Sequence, residues 1–282
     1  MTRTLKCSDA EIDELAADVR RSRKYRSLDV ADETIHAVLR DECSRHRTVK
    51  RAVEEARRKL HHIVADYLGD PDYDAAEREV RAAVSTGDAG RMAATCLDIA
   101  STHSTSRERL AFIDEYYARV FALTGRPRVL LDLACGLNPV FLPWMDLAPD
   151  AQYHAYEIRA RRVDFLNRFF AALRFPALAK VQDVIVRPPV ETGDVALLLQ
   201  EAHRMEQRRS GATRILLDQL QVRFVVVSLP IRSLSRRHDL TRAHTNLFNR
   251  IVADRPWAIQ TTHVGNELIF CIDKSAAVPA SG

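Results

Sequence analysis

The feature that most narrows what this chain can fold into is a change of rhythm after Arg126. From there on, short apolar runs recur at 129–133, 152–158, 179–186, 194–199, 222–229, 257–262 and 267–272, most of them separated by helical patterns or loops. That alternation predicts βαβ units feeding a mostly parallel sheet. The first run, VLLDL, has no amphipathic alternation, which suits a strand covered on both faces. The last two runs are divided by HVGN, a Gly-containing hairpin signal. Residues 8 to about 122 contain no strand-like run and read as helices. Ser8-Asp9 can cap a helix carrying Ile12, Leu15 and Val19, and Asp32 can cap one bearing Ile35, Val38 and Leu39. A third helix is expected from about Val49 to Leu68, ahead of a GDPDYD turn at 69–74. The expected organisation is an all-helical N-terminal domain over 1–104 and an α/β domain over 105–282.

A Rossmann-like, mostly parallel sheet that ends in an antiparallel hairpin is the outline of a class I S-adenosylmethionine-dependent methyltransferase domain. A plain dinucleotide-binding dehydrogenase would end differently. Open α/β sheets bind ligands at the carboxyl ends of their strands. The first expected strand passes through Asp132 into Ala134-Cys135-Gly136, where glycine lets the backbone approach a ligand. Glu157 ends the second run, roughly 20 residues past the glycine, where a carboxylate can accept both hydroxyls of a ribose. Asp183 ends the third and could accept from an adenine amino group. One acid at each of three successive strand ends, without a G-x-G-x-x-G pyrophosphate cradle, favours a cofactor with adenosine and no phosphates. S-adenosyl-L-methionine fits and NAD does not; solvated loop acids are the alternative.

Composition removes several classes. An apolar fraction of 46% supports a core, and a net charge of +4 is compatible with a nucleic-acid partner without requiring one. The five cysteines form no CxxC pair, so neither disulfides nor a zinc knuckle is expected. His61, His62 and His103 have no carboxylate or cysteine at ligand spacing, and no metal site is expected. No apolar run reaches membrane-spanning length and the N-terminal segment is too polar for a signal peptide, so the expected location is the cytoplasm. Basic residues cluster at Arg20, Arg21, Arg23, Lys24 and Arg26, at Arg45, Arg47, Lys50 and Arg51, and at Arg57, Arg58 and Lys59. They could hold RNA phosphates, or be solvated helix faces paired with Asp41, Glu42, Glu54 and Glu55.

STSRERL at 104–110, LDLACGLNP at 131–139, QDV at 182–184, LP-x-RSL at 229–234 and NEL at 266–268, with SRKY at 22–25 and RRKLHH at 57–62, carry a likeness over nearly the whole chain. The sequence resembles the Arm/Rmt/Sgm family of aminoglycoside-resistance methyltransferases, which modify N7 of guanosine 1405 in 16S rRNA. The resemblance implies a monomeric enzyme using S-adenosyl-L-methionine on the 30S ribosomal subunit. Arg109 would clasp the methionine carboxylate and Gly136 would lie against the methionine and ribose. Glu157 would take the ribose hydroxyls, and Asp183 with Val184 would hold the adenine. Asp132, Ala134, Ile158 and Leu199 complete the implied cofactor set. Gln200, Arg232 and Arg237 would position the target base. Arg236 would join Arg20, Arg23, Lys24, Arg57, Arg58 and Lys59 on the RNA.

Guanine N7 carries a free lone pair, so no general base is expected and positioning must supply the catalysis. The chain departs from the family pattern in several places. Glu157 stands for an aspartate, Gln200 for a lysine, Glu201-Ala202-His203 for a proline-containing turn, and Ile231 for a threonine. Ser235 to Asp239 replaces a glycine- and lysine-rich loop. Two other functions remain open on these grounds: a small-molecule methyltransferase with a helical lid, and a 30S-binding relative with an altered target or lost activity.

Overall fold

The strand Val129–Leu133 (β1) sits at the middle of the molecule because four of its five residues are apolar and both its faces are covered. Leu130 joins one hydrophobic core, and Leu131 and Leu133 join another on the opposite side of the sheet. The structure is a computed structural model and describes residues 7–22, 29–65, 69–232 and 238–275. Its helices are α1 (Asp9–Arg21), α2 (Asp32–Arg45), α3 (Val49–Ala65), α4 (Tyr73–Thr86), α5 (Ala89–Thr102), α6 (Ser104–Arg109), α7 (Ile113–Thr124), α8 (Leu142–Met145), α9 (Ala160–Leu173), α10 (Ala202–Arg208), α11 (Ala212–Gln219) and α12 (Thr241–Val252). The strands after β1 are β2 (Gln152–Glu157), β3 (Ala177–Val181), β4 (Thr192–Leu199), β5 (Gln221–Pro230), β6 (Ala258–Val264) and β7 (Glu267–Asp273). They form one sheet in the order β3-β2-β1-β4-β5-β7-β6, parallel except for β7, which runs antiparallel between β5 and β6.

The expected parallel sheet with a terminal hairpin is therefore present. The hairpin turns at Gly265, whose φ of +54° suits glycine, and a Cβ there would meet the Phe112 ring at 2.1 Å. The third strand is shorter than its apolar run. It stops at Val181, and Asp183 to Ile185 belong to the turn that follows, with Val184 and Ile185 buried in the core beneath.

At the N-terminus, Ser8 caps α1 in a full capping box with Glu11, as its position suggests. Asp32 does not cap α2. Ala31 occupies the cap position because its N–H is drawn to the Ile158 carbonyl at 2.8 Å, and Asp32 becomes the first helical residue, paired with Arg20. Helices α1 to α3 share a small core of their own around Ile12, Val19, Leu39, Ala56 and Leu60. Helices α4 and α5 instead pack into the core of the sheet, α4 along α9. The break between hydrophobic cores thus lies between α3 and α4, upstream of the change in sequence rhythm. The α1–α3 unit is tied to the sheet by the 29–31 segment, which forms a β-bridge from Val30 to Arg159. Among the described residues, no helix is long and apolar enough to cross a membrane, and no cluster of metal-ligating side chains occurs.

Candidate active site

The order of strands reverses between β1 and β4, and a crevice opens there at their carboxyl ends, where doubly wound sheets bind ligands. The residues just past the two strands, Ala134 and Gln200, hold left-handed φ values of 50° and 59°. Non-glycine residues rarely adopt this region, and strain of this kind gathers at functional sites. Gly136 follows at φ +55°, and a Cβ there would stand 3.3 Å from the His103 ring.

Two adjoining cavities share Ala134, Gly136 and Glu201. The smaller, of about 20 Å³, is lined by Arg109, Asp132, Asn138, Leu199 and Gln200, with His103 and Ser106 on its wall. Arg109 is buried, and its guanidinium reaches Glu267 from Nε at 2.9 Å and from Nη2 at 2.8 Å, and Asn138 Oδ1 from Nη1 at 2.7 Å. Tyr116 and Gln200 also donate to Glu267, each at 2.7 Å. Burial pushes the Asp132 carboxyl up to about 6, against the pull of hydrogen bonds from Tyr153 (2.5 Å) and Asn138 (2.9 Å). Burial, with Arg162 nearby, drives His103 down to about 3, so its imidazole is neutral at ordinary pH. Cys135 is a buried thiol held well above its usual range by burial and the neighbouring acids, which makes it packing and not a nucleophile.

The larger cavity, of about 430 Å³, carries Glu157 at the end of β2, Ile158 just past it, and Asp183 and Val184 past β3. Glu157 Oε1 accepts the N–H groups of Ile158 (2.8 Å) and Arg159 (3.0 Å). Its Oε2 accepts from Gly136 N (3.0 Å) and Arg162 Nη1 (3.1 Å). Four donors on one carboxylate fix its position and mean that a diol would have to share its oxygens. Asp183 Oδ1 accepts from Ile185 N at 3.1 Å, while Oδ2 takes Thr34 Oγ1 at 2.7 Å and Arg208 at 2.6 Å.

The expected cofactor residues therefore converge on one crevice. The basic residues are dispersed, and several of those described are in ion pairs. Arg58 and Lys59 of α3 line the larger cavity, Lys59 in an ion pair with the buried Glu42 at 2.5 Å and Arg58 with Glu55 at 2.6 Å. Arg20 pairs with Asp32 at 2.6 Å, and Arg57 is half-buried on α3. Arg232 lies at the end of β5, held through its N–H on Asn266 Oδ1 at 3.0 Å, and lines neither cavity. Arg23, Lys24, Arg236 and Arg237 lie outside the described residues.

Sequence reasoning overlooked Asp70, His103 as a wall residue, Arg162, Arg208 and Thr34. Arg162 read as one more helix charge, yet it is buried between Glu157 and Asp70, donating to Asp70 Oδ1 at 2.6 Å. The aspartate of the GDPDYD turn was the only available signal, and it gave no hint of its partner 92 residues away.

This topology and crevice define an S-adenosyl-L-methionine-dependent methyltransferase of Rossmann-like type. Residues 21–271 match the family described as "Ribosomal RNA methyltransferase (FmrO)", and the chain belongs to that family. A 16S rRNA (guanine(1405)-N(7))-methyltransferase of Frankia casuarinae is 34% identical over 266 residues, which are 93% of this chain and 93% of that protein. One from Micromonospora rosea is 32% identical over 275 residues, 96% of this chain and 100% of its own length. The crystal structure of the 16S rRNA methyltransferase RmtF in complex with S-adenosyl-L-homocysteine superposes with a TM-score of 0.75 at 28% identity, covering 95% of this chain and 99% of RmtF.

Proposed function

We propose that this chain methylates N7 of guanosine 1405 in the 16S rRNA of the 30S subunit and thereby confers aminoglycoside resistance. The observation that carries the reading is the crevice at the β1/β4 reversal, with Arg109 and Asp132 at one end and Glu157 and Asp183 at the other. Acids at the wide end suit the hydroxyls and amino group of adenosine, and a buried guanidinium at the narrow end suits a carboxylate. The donor set fits S-adenosyl-L-methionine. When bound, that molecule supplies an electrophilic methyl group on a sulfonium.

The chain's own residues then bind and orient. Arg109, braced by Glu267 and Asn138, has remaining N–H donors for the methionine carboxylate. Asp132 offers a carboxylate to the methionine ammonium. Gly136, without a side chain, permits close approach, Ala134, Ile158, Val184 and Leu199 shape the walls, and Glu157 and Asp183 fix the nucleoside. Gln200, held at its left-handed backbone by a bond to Glu267, would position the target guanine together with Arg232 and Arg237. N7 is already a lone pair, so no proton is removed, and the side chains need only exclude water and stabilise charge on the purine. The basic residues Arg20, Arg23, Lys24, Arg57 and Arg58 of the 1–104 region, together with Arg236, would hold the RNA. The protein acts in the cytoplasm as a monomer.

Tritiated methyl transfer from S-adenosyl-L-methionine to 30S subunits, followed by mapping of the modified base, tests the reading. Label as 7-methylguanine at position 1405 is expected. Label at another base, or no label on RNA, would overturn it.

A further inference from the structure

The adenosine end of the crevice is not built by the sheet alone. Asp183, buried at 2% exposure past β3, is held from the helical unit. Thr34, on the first turn of α2 and itself at 0% exposure, donates its hydroxyl to Asp183 Oδ2 at 2.7 Å across 149 residues of sequence. The neighbouring Glu33 accepts the Asp183 N–H at 2.6 Å and pairs through its other oxygen with Arg187 at 3.0 Å. The same segment grips the loop after β2: Ala31 N donates to Ile158 O at 2.8 Å, and Asp29 accepts from Arg161 N at 2.7 Å. Both loops that carry the nucleoside acids are therefore fastened to residues 29–34.

The two oxygens of Asp183 divide the labour. Oδ2 is satisfied by Thr34 and by Arg208 of α10, whereas Oδ1 accepts only the local turn bond from Ile185 N among the described residues. A carboxylate accepts along roughly two directions per oxygen. With Oδ2 doubly engaged, Oδ1 keeps an open acceptor direction on a residue that lines the larger cavity, and an adenine 6-amino group can donate to it. Arg208 and the Ile185 N–H each hold one oxygen, but the ion pair is weakly directional and the turn bond is long at 3.1 Å, so the hydroxyl is the directional bond that sets the carboxylate plane from the α2 side. The hydroxyl from α2 is the third point of attachment and comes from outside the sheet domain.

We propose that Thr34 is a positioning residue for the adenine, fixing the Asp183 carboxylate so that the cofactor is read by its 6-amino group, and that the helical unit is in this way part of the cofactor site. The inference rests on the reading of this crevice as the S-adenosyl-L-methionine site. A hydroxyl acting through a carboxylate alters recognition of one functional group, whereas a merely structural threonine would alter all ligands alike.

The test uses the full chain and calorimetry with two probes, S-adenosylhomocysteine and its 6-oxo counterpart S-inosylhomocysteine. Wild-type protein should bind the adenosyl compound more tightly. Thr34→Val should weaken the adenosyl compound about tenfold, the scale of one lost hydrogen bond, and leave the inosyl compound nearly unchanged, so that discrimination collapses. Thr34→Ser, which keeps the hydroxyl, should retain wild-type discrimination, and it keeps the test decisive if the valine variant folds poorly. Equal weakening of both probes by Thr34→Val, unchanged affinities, or lost discrimination in Thr34→Ser would overturn the inference. Failure of the wild-type protein to bind S-adenosylhomocysteine would instead overturn the reading of the crevice, and this inference with it.

Discussion

Arg109 and Glu267, 158 residues apart, form a fully buried ion pair at 2.8 Å that joins α6 to the start of β7. Taking two charges out of water is unfavourable, and the pair is tolerable because Tyr116 and Gln200 donate to Glu267 and Asn138 accepts from Arg109. Removing one partner strands the other. Glu267→Ala should lower the unfolding free energy by about 3–5 kcal/mol in urea titration, and Glu267→Met with Arg109→Met should recover much of that loss. A Glu267→Ala variant as stable as wild type would show that water reaches the pair.

Asp132 gives the protein a pH signature. Its folded-state value of about 6 lies above the 3.8 of an ordinary aspartate, so between these values the native state holds a proton that the unfolded chain has released. The contribution to stability is complete below the lower value and is lost as pH rises through about 6. From pH 5 to pH 7, wild type should lose on the order of 1 kcal/mol relative to Asp132→Asn, whose amide oxygen can still accept from Tyr153 and Asn138. Parallel stability curves for the two proteins would show that Asp132 is ionised throughout.

Legibility of the fold from sequence follows the range of the interactions. Strands β1, β4, β5 and β7 announce themselves because burial on both faces leaves continuous apolar runs such as VLLDL and FVVVSL. The run around β3 misled at one end: Val184 and Ile185 are apolar because they line the core under a turn, not because they pair in a strand. That Gly136, Glu157 and Asp183 line one crevice was legible because strand ends fix where an open sheet leaves its clefts. Their supports were not. Thr34, Asp70, Arg162 and Arg208 act through one or two contacts with residues distant in sequence, and such isolated polar contacts leave no periodicity to read. Asp32 shows the same limit, since the pull of Ile158 O on Ala31 N moves the cap by one residue.

Arg162 bridges Glu157 and Asp70 from a buried position, so it holds the Glu157 carboxylate where the Gly136 N–H also binds it. Arg162→Met should weaken S-adenosylhomocysteine binding by at least about tenfold and lower the melting temperature, since two acids lose their common cation. Arg162→Lys should rescue stability better than affinity, because an ammonium cannot span both carboxylates as a guanidinium fork does. Calorimetry beside thermal melts separates the two effects. Wild-type affinity in Arg162→Met would show that the backbone amides alone hold Glu157.

The basic face of α3 should divide into docking and structural residues. Arg58 is exposed beyond its pair with Glu55, and Arg57 is half-buried beside it, whereas Lys59 is spent on neutralising the buried Glu42. Arg57→Ala with Arg58→Ala, alone or with Arg20→Ala, should weaken 30S binding and flatten its dependence on salt by about one unit of log–log slope for each phosphate no longer neutralised. Because Arg58 also borders the larger cavity, S-adenosylhomocysteine affinity must be measured in the same variants, and it should stay within about threefold of wild type if phosphate is the main partner. Lys59→Ala should chiefly lower stability, because it removes the nearest cation of the buried Glu42 and leaves His46 at 3.1 Å and Arg45 at 3.6 Å. Arg232→Ala should reduce methyl transfer more than 30S affinity, since ordering the target base matters most in the transition state. If the α3 variants keep wild-type 30S binding across a salt series, the cations of this face serve the fold and its solvation, and the subunit must be held by some other surface of the protein.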